Sequence, residues 1–219
     1  MFSTIKSIWG SEDKLTKNIL NKTEIKGRWL NLCCGDGRYN NILLKSSYQV
    51  VCTDKSKNAM NILKRKTPLL LRKKLKAKLL DITKRFPFKD NYFDGIFCTG
   101  TLHLFSKAQL KKIVKEINRV LKPNGIILID FATDIKRIKN NGKKFVYPKE
   151  PSYKLANAQN FLRQLFYSYI VKMYFGKVSP TYVKEKELYT FSCNFVLLKA
   201  IKKEYDFFDR YAIEKLFED

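Results

Sequence analysis

Trp29-Leu30-Asn31-Leu32-Cys33, running into Cys34-Gly35-Asp36-Gly37-Arg38, decides the fold. The first five residues are mostly bulky and apolar, a run of strand length whose lack of alternation indicates burial on both faces. Cys34-Gly35-Asp36-Gly37 is a small-residue turn in which glycines admit backbone conformations closed to other side chains. Ile42, Leu43 and Leu44 then read as helix. Strand, glycine turn and helix open a βαβ unit.

The rhythm repeats down the chain. Tyr48-Gln49-Val50-Val51-Cys52-Thr53 is a second buried strand closed by Asp54, and a helix through Ala59, Met60, Ile62 and Leu63 stops near Pro68. Ala77-Lys78-Leu79-Leu80, closed by Asp81, is a third strand, Gly95-Ile96-Phe97-Cys98-Thr99 a fourth, and Ile126-Ile127-Leu128-Ile129 a fifth. Between the last two, Leu110, Ile113, Val114, Ile117 and Leu121 recur at helical spacing, with Ser106 placed to cap the start and Pro123-Asn124-Gly125 to end it. This alternation predicts an α/β fold, a Rossmann-like doubly wound, mostly parallel sheet with helices on both faces. The pattern then changes. Residues 135–153 have loop chemistry, and Leu155, Ala158, Leu162, Leu165, Tyr169 and Met173 predict one long amphipathic helix. Phe195 to Ile201 reads as a further helix, followed by a terminal hairpin or helix.

At 219 residues, 45% hydrophobic and 29% charged, the chain has the composition of one well-cored globular domain. No apolar run approaches the roughly 20 residues that span a bilayer. Met1-Phe2-Ser3-Thr4-Ile5-Lys6 lacks the basic-then-apolar order of a secretory signal, so a cytoplasmic protein is expected. Cys33, Cys34, Cys52, Cys98 and Cys193 form no Cys-x-x-Cys pair and His103 is the single histidine, so reduced thiols and no metal site are expected. Charge is the outlying number: 44 Lys and Arg against 20 Asp and Glu, a net of +24. Such a field attracts polyanions. Only nine of the bases are arginine, the better phosphate fork, and A/T-rich codon usage alone accounts for a lysine excess.

Ligands of such sheets sit beyond the carboxyl ends of the strands, where Cys34-Gly35-Asp36-Gly37, Asp54 and Asp81 fall. Glycines there let a ligand approach the backbone. An acid nineteen positions after Gly35 suits a ribose diol, which indicates an adenosine-type cofactor. A dinucleotide turn would carry a third glycine where Asn40 stands, and Asp36 is ill placed beside a pyrophosphate. A cationic nucleoside without phosphate fits better.

These residues resemble the class I S-adenosylmethionine-dependent methyltransferases. Leu30 to Arg38 resembles the family's glycine-rich first motif, Asp54 its ribose-binding acid, and Leu80-Asp81-Ile82 its adenine-contacting acid at the third strand. Phe86-Pro87-Phe88-Lys89-Asp90-Asn91-Tyr92-Phe93-Asp94-Gly95-Ile96 resembles the family's Pro-Phe-x-Asp-x-x-Phe-Asp stretch. Leu121-Lys122-Pro123-Asn124-Gly125-Ile126 resembles its Leu-Lys-Pro-Gly-Gly turn. The resemblance covers residues 28 to about 131. It implies S-adenosylmethionine as cofactor, S-adenosylhomocysteine as product, no metal, and cofactor contacts from Asn31, Cys33, Gly35, Asp36, Gly37, Asp54, Asp81, Ile82 and Thr99. The family usually has Asp where Asn31 stands and Gly where Cys33 stands. The methionine ammonium is then left to Asp36 and backbone carbonyls, and Cys33 needs a backbone that tolerates a side chain. The expected divisions are an N-terminal helical segment (1–28), a cofactor-binding core (29–134), a helical acceptor-recognition or lid insertion after strand five (135–186) and a C-terminal part of the sheet (187–219), all in a single domain.

A methyl on a positive sulfur is already activated, so alignment and exclusion of water suffice, and no catalytic triad is visible. His103, just past strand four, is placed to orient an acceptor or take its proton; the plainer alternative is packing over the cofactor or capping the next helix. Asp94 reads as a turn and cap residue. The acid-free basic stretch Lys64 to Lys78 reads equally as a phosphate grip and as a solvated face. Tyr147, Tyr153, Tyr167 and Tyr182 are available for stacking on a planar acceptor. With the +24 charge, these features favour an RNA acceptor, tRNA or rRNA. The alternative is a small-molecule or quinone-like lipid acceptor, since Phe86 to Ile96 also resembles quinone-biosynthesis methyltransferases. A third reading is a cofactor-binding scaffold without catalysis. The sequence is silent on oligomeric state.

Overall fold

A computed structural model describes residues 12–139, 141–144, 151, 153–184 and 188–203. The elements follow in the order α1 (Lys14–Asn21), β1 (Arg28–Leu32), α2 (Asn40–Ser46), β2 (Gln49–Asp54), α3 (Lys57–Lys66), the single turn α4 (Leu69–Arg72), β3 (Leu75–Leu79) and β4 (Phe93–Cys98). A 3₁₀ turn (Leu102–Leu104), α5 (Lys107–Val120), β5 (Leu121–Lys139), α6 (Leu155–Leu165), β6 (Tyr169–Lys184) and β7 (Leu188–Lys202) complete the chain.

Local chemistry sets the helix starts. Asp13 accepts the Thr16 N–H at 2.8 Å, and Ser56 accepts the Ala59 N–H at 3.2 Å. Ser106 and Gln109 form a reciprocal capping box at the head of α5. The strands assemble in the order β3-β2-β1-β4-β5-β7-β6. The first five are parallel, and β7 runs antiparallel between β5 and β6. Alternation along each strand divides the core in two. Leu30, Leu32, Ile96 and Cys98 pack with α5 and α6, whereas Trp29, Val50, Cys52 and Phe97 pack with α1, α2 and α3. Burying each α5 side chain, Leu110, Ile113 and Ile117 among them, contributes about 1.5–3 kcal/mol. The expected doubly wound α/β sheet is therefore present.

The carboxyl-terminal third departs from its reading. The helix after strand five ends at Leu165 instead of continuing to Met173, and the rest is β6, hydrogen-bonded along β7. Tyr169, Val171 and Met173 face one core cluster at a spacing of two, so strand pairing wins over a spacing that also suits a helix. Phe195 to Ile201 is strand β7 and not helix, with Val196, Leu198 and Ala200 in one cluster and Phe195 and Leu197 in the other. A strand buried on both faces is continuously apolar and shows no alternation. Residues 135–139, read as loop, extend β5 against β7, and β3 starts at Leu75, not Ala77. The segment 135–186, expected as an insertion, thus supplies a sheet strand as well as a helix, and α6 buries Ala158, Phe161 and Leu162 in the core. Residues 204–219, where the terminal hairpin or helix was expected, lie outside the described residues.

Candidate active site

The chain leaves β1 for β2 and β3 on one side of the sheet and returns to β4 on the other. A reversal of this kind opens a crevice at the strand tips, where ligands of open α/β sheets bind. The loop leaving β1 fits a close approach: Cys33, Gly35 and Gly37 all have positive φ, of 51°, 54° and 83°. Cys33 thus adopts a left-handed conformation that costs an L-residue about 1–2 kcal/mol, which explains why the related motif carries glycine there. A side chain at Gly37 would strike Leu63.

Asp54 closes β2 beside this loop. Its Oδ2 accepts the Gly35 N–H at 2.9 Å and its Oδ1 accepts the Ser56 N–H at 2.9 Å. The carboxylate is therefore fixed in direction while keeping lone pairs for a diol. The Leu80 N–H donates to the Asp54 carbonyl at 3.0 Å and brings the tip of β3 to the same place. Asp81 stands exposed there. The Thr83 hydroxyl and N–H, donating to its Oδ1 at 2.7 and 3.0 Å, hold its carboxyl below the usual carboxylate range. Thr99 is half-buried at the tip of β4.

Three of the expected residues have buried side chains. The Asp36 carboxylate has no exposed surface and is held by Lys66 of α3 at 3.0 Å, so Asp36 presents backbone and not charge to the crevice. The ammonium contact assigned to its side chain is corrected accordingly. Asn31 is buried in β1, and its carbonyl accepts the Thr53 hydroxyl at 3.4 Å. The Ile82 side chain belongs to the core under α5. His103 lies in the 3₁₀ turn after β4, on the crevice side of the sheet as expected, with its ring buried. Tyr153 stacks on Phe161 at 6.2 Å and donates to the Phe105 carbonyl at 2.8 Å, so it belongs to the packing around α6. Tyr167 is exposed, while Tyr147 and the side chain of Tyr182 lie outside the described residues.

The structure adds Asp130, which sequence reasoning did not single out. Its Oδ1 accepts the Gly100 N–H at 2.6 Å. Burial pushes its pKa up to about 6, against the pull of the Gly100 bond and the nearby Arg38. The signal was present, since Asp130 follows Ile126-Ile127-Leu128-Ile129 as Asp54 and Asp81 follow their own apolar runs. Cys33, Cys34, Cys52 and Cys98 carry free thiols. Hydrogen bonding to Cys52 and burial raise the Cys34 thiol well above its usual range, and Cys33 and burial do the same to Cys98. Neutral thiols are poor nucleophiles, so these line and fill the crevice without attacking. Among the described residues no cluster of His, Cys, Asp and Glu is placed to hold a metal ion, and no helix is long and apolar enough to cross a membrane.

Residues 30–129 match the family model for a methyltransferase domain. The chain carries a class I S-adenosylmethionine-dependent methyltransferase domain. It is 32% identical over 100 residues to an uncharacterized methyltransferase of Synechocystis, covering 46% of this chain and 44% of that protein. It is 34% identical over 114 residues to the demethylmenaquinone methyltransferase of Leptospira interrogans, covering 51% and 44%. The chain thus spans less than half the length of these curated relatives. The structure of DhpI in complex with SAH shares the fold at a TM-score of 0.59 and 15% identity, over 87% of this chain and 83% of its own. The matched residues run from within β1 to the middle of β5 and include the crevice residues from Asn31 to His103, with Asp130 one position beyond their end.

Proposed function

We propose that the chain transfers a methyl group from S-adenosylmethionine to a small-molecule acceptor. The observation that carries the reading is the Asp54 carboxylate, aimed by the Gly35 and Ser56 amides at the mouth of the crevice. Asp54 would hold the ribose diol, the left-handed backbone at Cys33, Gly35 and Gly37 would admit the nucleoside, and Asp81 and Leu80 would border the adenine. When bound, the cofactor supplies a methyl on a cationic sulfur, open to in-line displacement by a nucleophile. The protein aligns the acceptor and keeps water out. Asp130 and His103 would receive a proton from an acceptor that must lose one, and a pKa of about 6 leaves Asp130 mostly ionised at neutral pH.

The names of the relatives favour a small molecule, and three of them are demethylmenaquinone methyltransferases. RNA is the second reading and rests on the net charge of +24. The test is transfer of label from S-adenosylmethionine into fractionated extract, with nuclease and protease controls. Label in the organic-soluble fraction is expected; label lost to nuclease would transfer the proposal to RNA. Binding of the cofactor with no S-adenosylhomocysteine formed in any fraction would make the chain a scaffold.

A further inference from the structure

The turn α4, remote from the crevice, has no role in cofactor binding and an unusual surface. Leu69 and Leu70 are 76% and 86% exposed, and Tyr48 beside them is 73% exposed. They stand on an ordered prominence. The Leu71 and Arg72 amides donate to the Pro68 carbonyl at 2.9 and 3.2 Å, and Leu71 packs into the core below α2 and α3. The Arg72 guanidinium binds the Thr67 and Arg65 carbonyls at 3.0 and 3.3 Å, tying α4 to the end of α3. Lys74 binds the Leu44 and Ser47 carbonyls at 3.2 and 2.9 Å, which places Tyr48 alongside.

Charge around the prominence has one sign. From Lys55 to Leu80 there are ten bases and no acid. Lys64, Arg65 and Lys73 are exposed beside α4, whereas Lys76 faces the other side of the sheet with Val51. Asp36, which meets the end of α3, is already paired with Lys66, and Glu24 and Asp94 are paired with Lys26 and Lys122. Exposed apolar side chains ringed by bases match the two components of an anionic bilayer surface, acyl chains and acidic headgroups. Nucleic acid matches the bases and Tyr48 but not Leu69 and Leu70, because leucines neither stack on bases nor bind phosphate. Lysines on the edge strand β3 also guard its open edge, but that leaves the leucines unexplained.

We propose that Tyr48, Leu69 and Leu70, with Lys64, Arg65 and Lys73 around them, dock the protein on an anionic lipid surface. The patch lies at the amino ends of β2 and β3, away from the strand tips that form the crevice. The inference is therefore independent of the proposed acceptor, and S-adenosylmethionine affinity serves as an unaffected control.

The experiment is co-sedimentation of the full chain with vesicles of equal phosphatidylglycerol and phosphatidylcholine, against phosphatidylcholine alone. Binding to the anionic vesicles only is expected, falling steeply as salt rises. The double variant Leu69→Ser/Leu70→Ser should lose at least tenfold in partitioning with cofactor affinity unchanged, and Arg65→Gln/Lys73→Gln should lose severalfold. A Leu70→Trp variant should shift its emission to the blue on adding anionic vesicles. Equal binding by the serine variant, or no vesicle binding at low salt while a poly(U) oligonucleotide is retained, would overturn the proposal.

Discussion

The Gly35 N–H lies 2.9 Å from Oδ2 of Asp54, so the loop at one strand tip aims the acid at the next. Asp54→Ala removes that acceptor and the charge. It should weaken S-adenosylmethionine binding by about 1.5–3 kcal/mol, the worth of a charged hydrogen bond. Calorimetry checks this, and an unchanged affinity would remove Asp54 from the site.

Lys66 and Asp36 form a pair in which the acid is wholly buried. Removing only the cation leaves a buried charge, which costs about 3–5 kcal/mol. Lys66→Met should therefore destabilise strongly in urea titrations, and Asp36→Asn/Lys66→Met should recover most of the loss. A single variant as stable as the double would mean the pair is not sequestered in solution.

Asp130 carries a pH signature. Its folded pKa of about 6 lies above the unfolded value, so the fold favours the protonated acid. Its stabilising contribution is complete below about pH 4 and is lost as pH rises through about 6. Asp130→Asn keeps an acceptor for the Gly100 N–H but cannot titrate. Its stability relative to the parent should rise by about 1–3 kcal/mol between pH 4 and 7, read from chemical denaturation at each pH.

Gly95 of β4 lies against the ring of Trp29 in β1, and a Cβ there would come 2.3 Å from Trp29 Cε2. The ring is 1% exposed, and its Nε1 donates to the Lys26 carbonyl at 2.9 Å, so it has little room to yield. Gly95→Ala should cost about 1–3 kcal/mol by overpacking, visible as a lower urea midpoint with an unchanged slope.

His103 separates alignment from packing. If its ring acts on the acceptor, His103→Ala should lower turnover at least tenfold while S-adenosylmethionine affinity holds. Equal turnover would leave the ring as part of the packing where it is buried.

From Trp29 to Ile129 the sequence determined the order of strands, turns and helices, because each is announced locally: apolar runs, Gly35 and Gly37 after β1, Ser56 and Ser106 at helix starts, acids at strand tips. Tertiary structure alone decided the rest. Phe195-Val196-Leu197-Leu198 becomes a strand because β5 and β6 lie on either side of it, a fact absent from its own residue spacing. The charge of Asp36 is withdrawn by a lysine thirty residues on, and Asp130 gains its elevated pKa from burial, against the opposing hydrogen bond from Gly100 in another loop. Pairing across the sheet and desolvation depend on distances that open only when the chain closes on itself, and residue order along the chain does not encode them one element at a time.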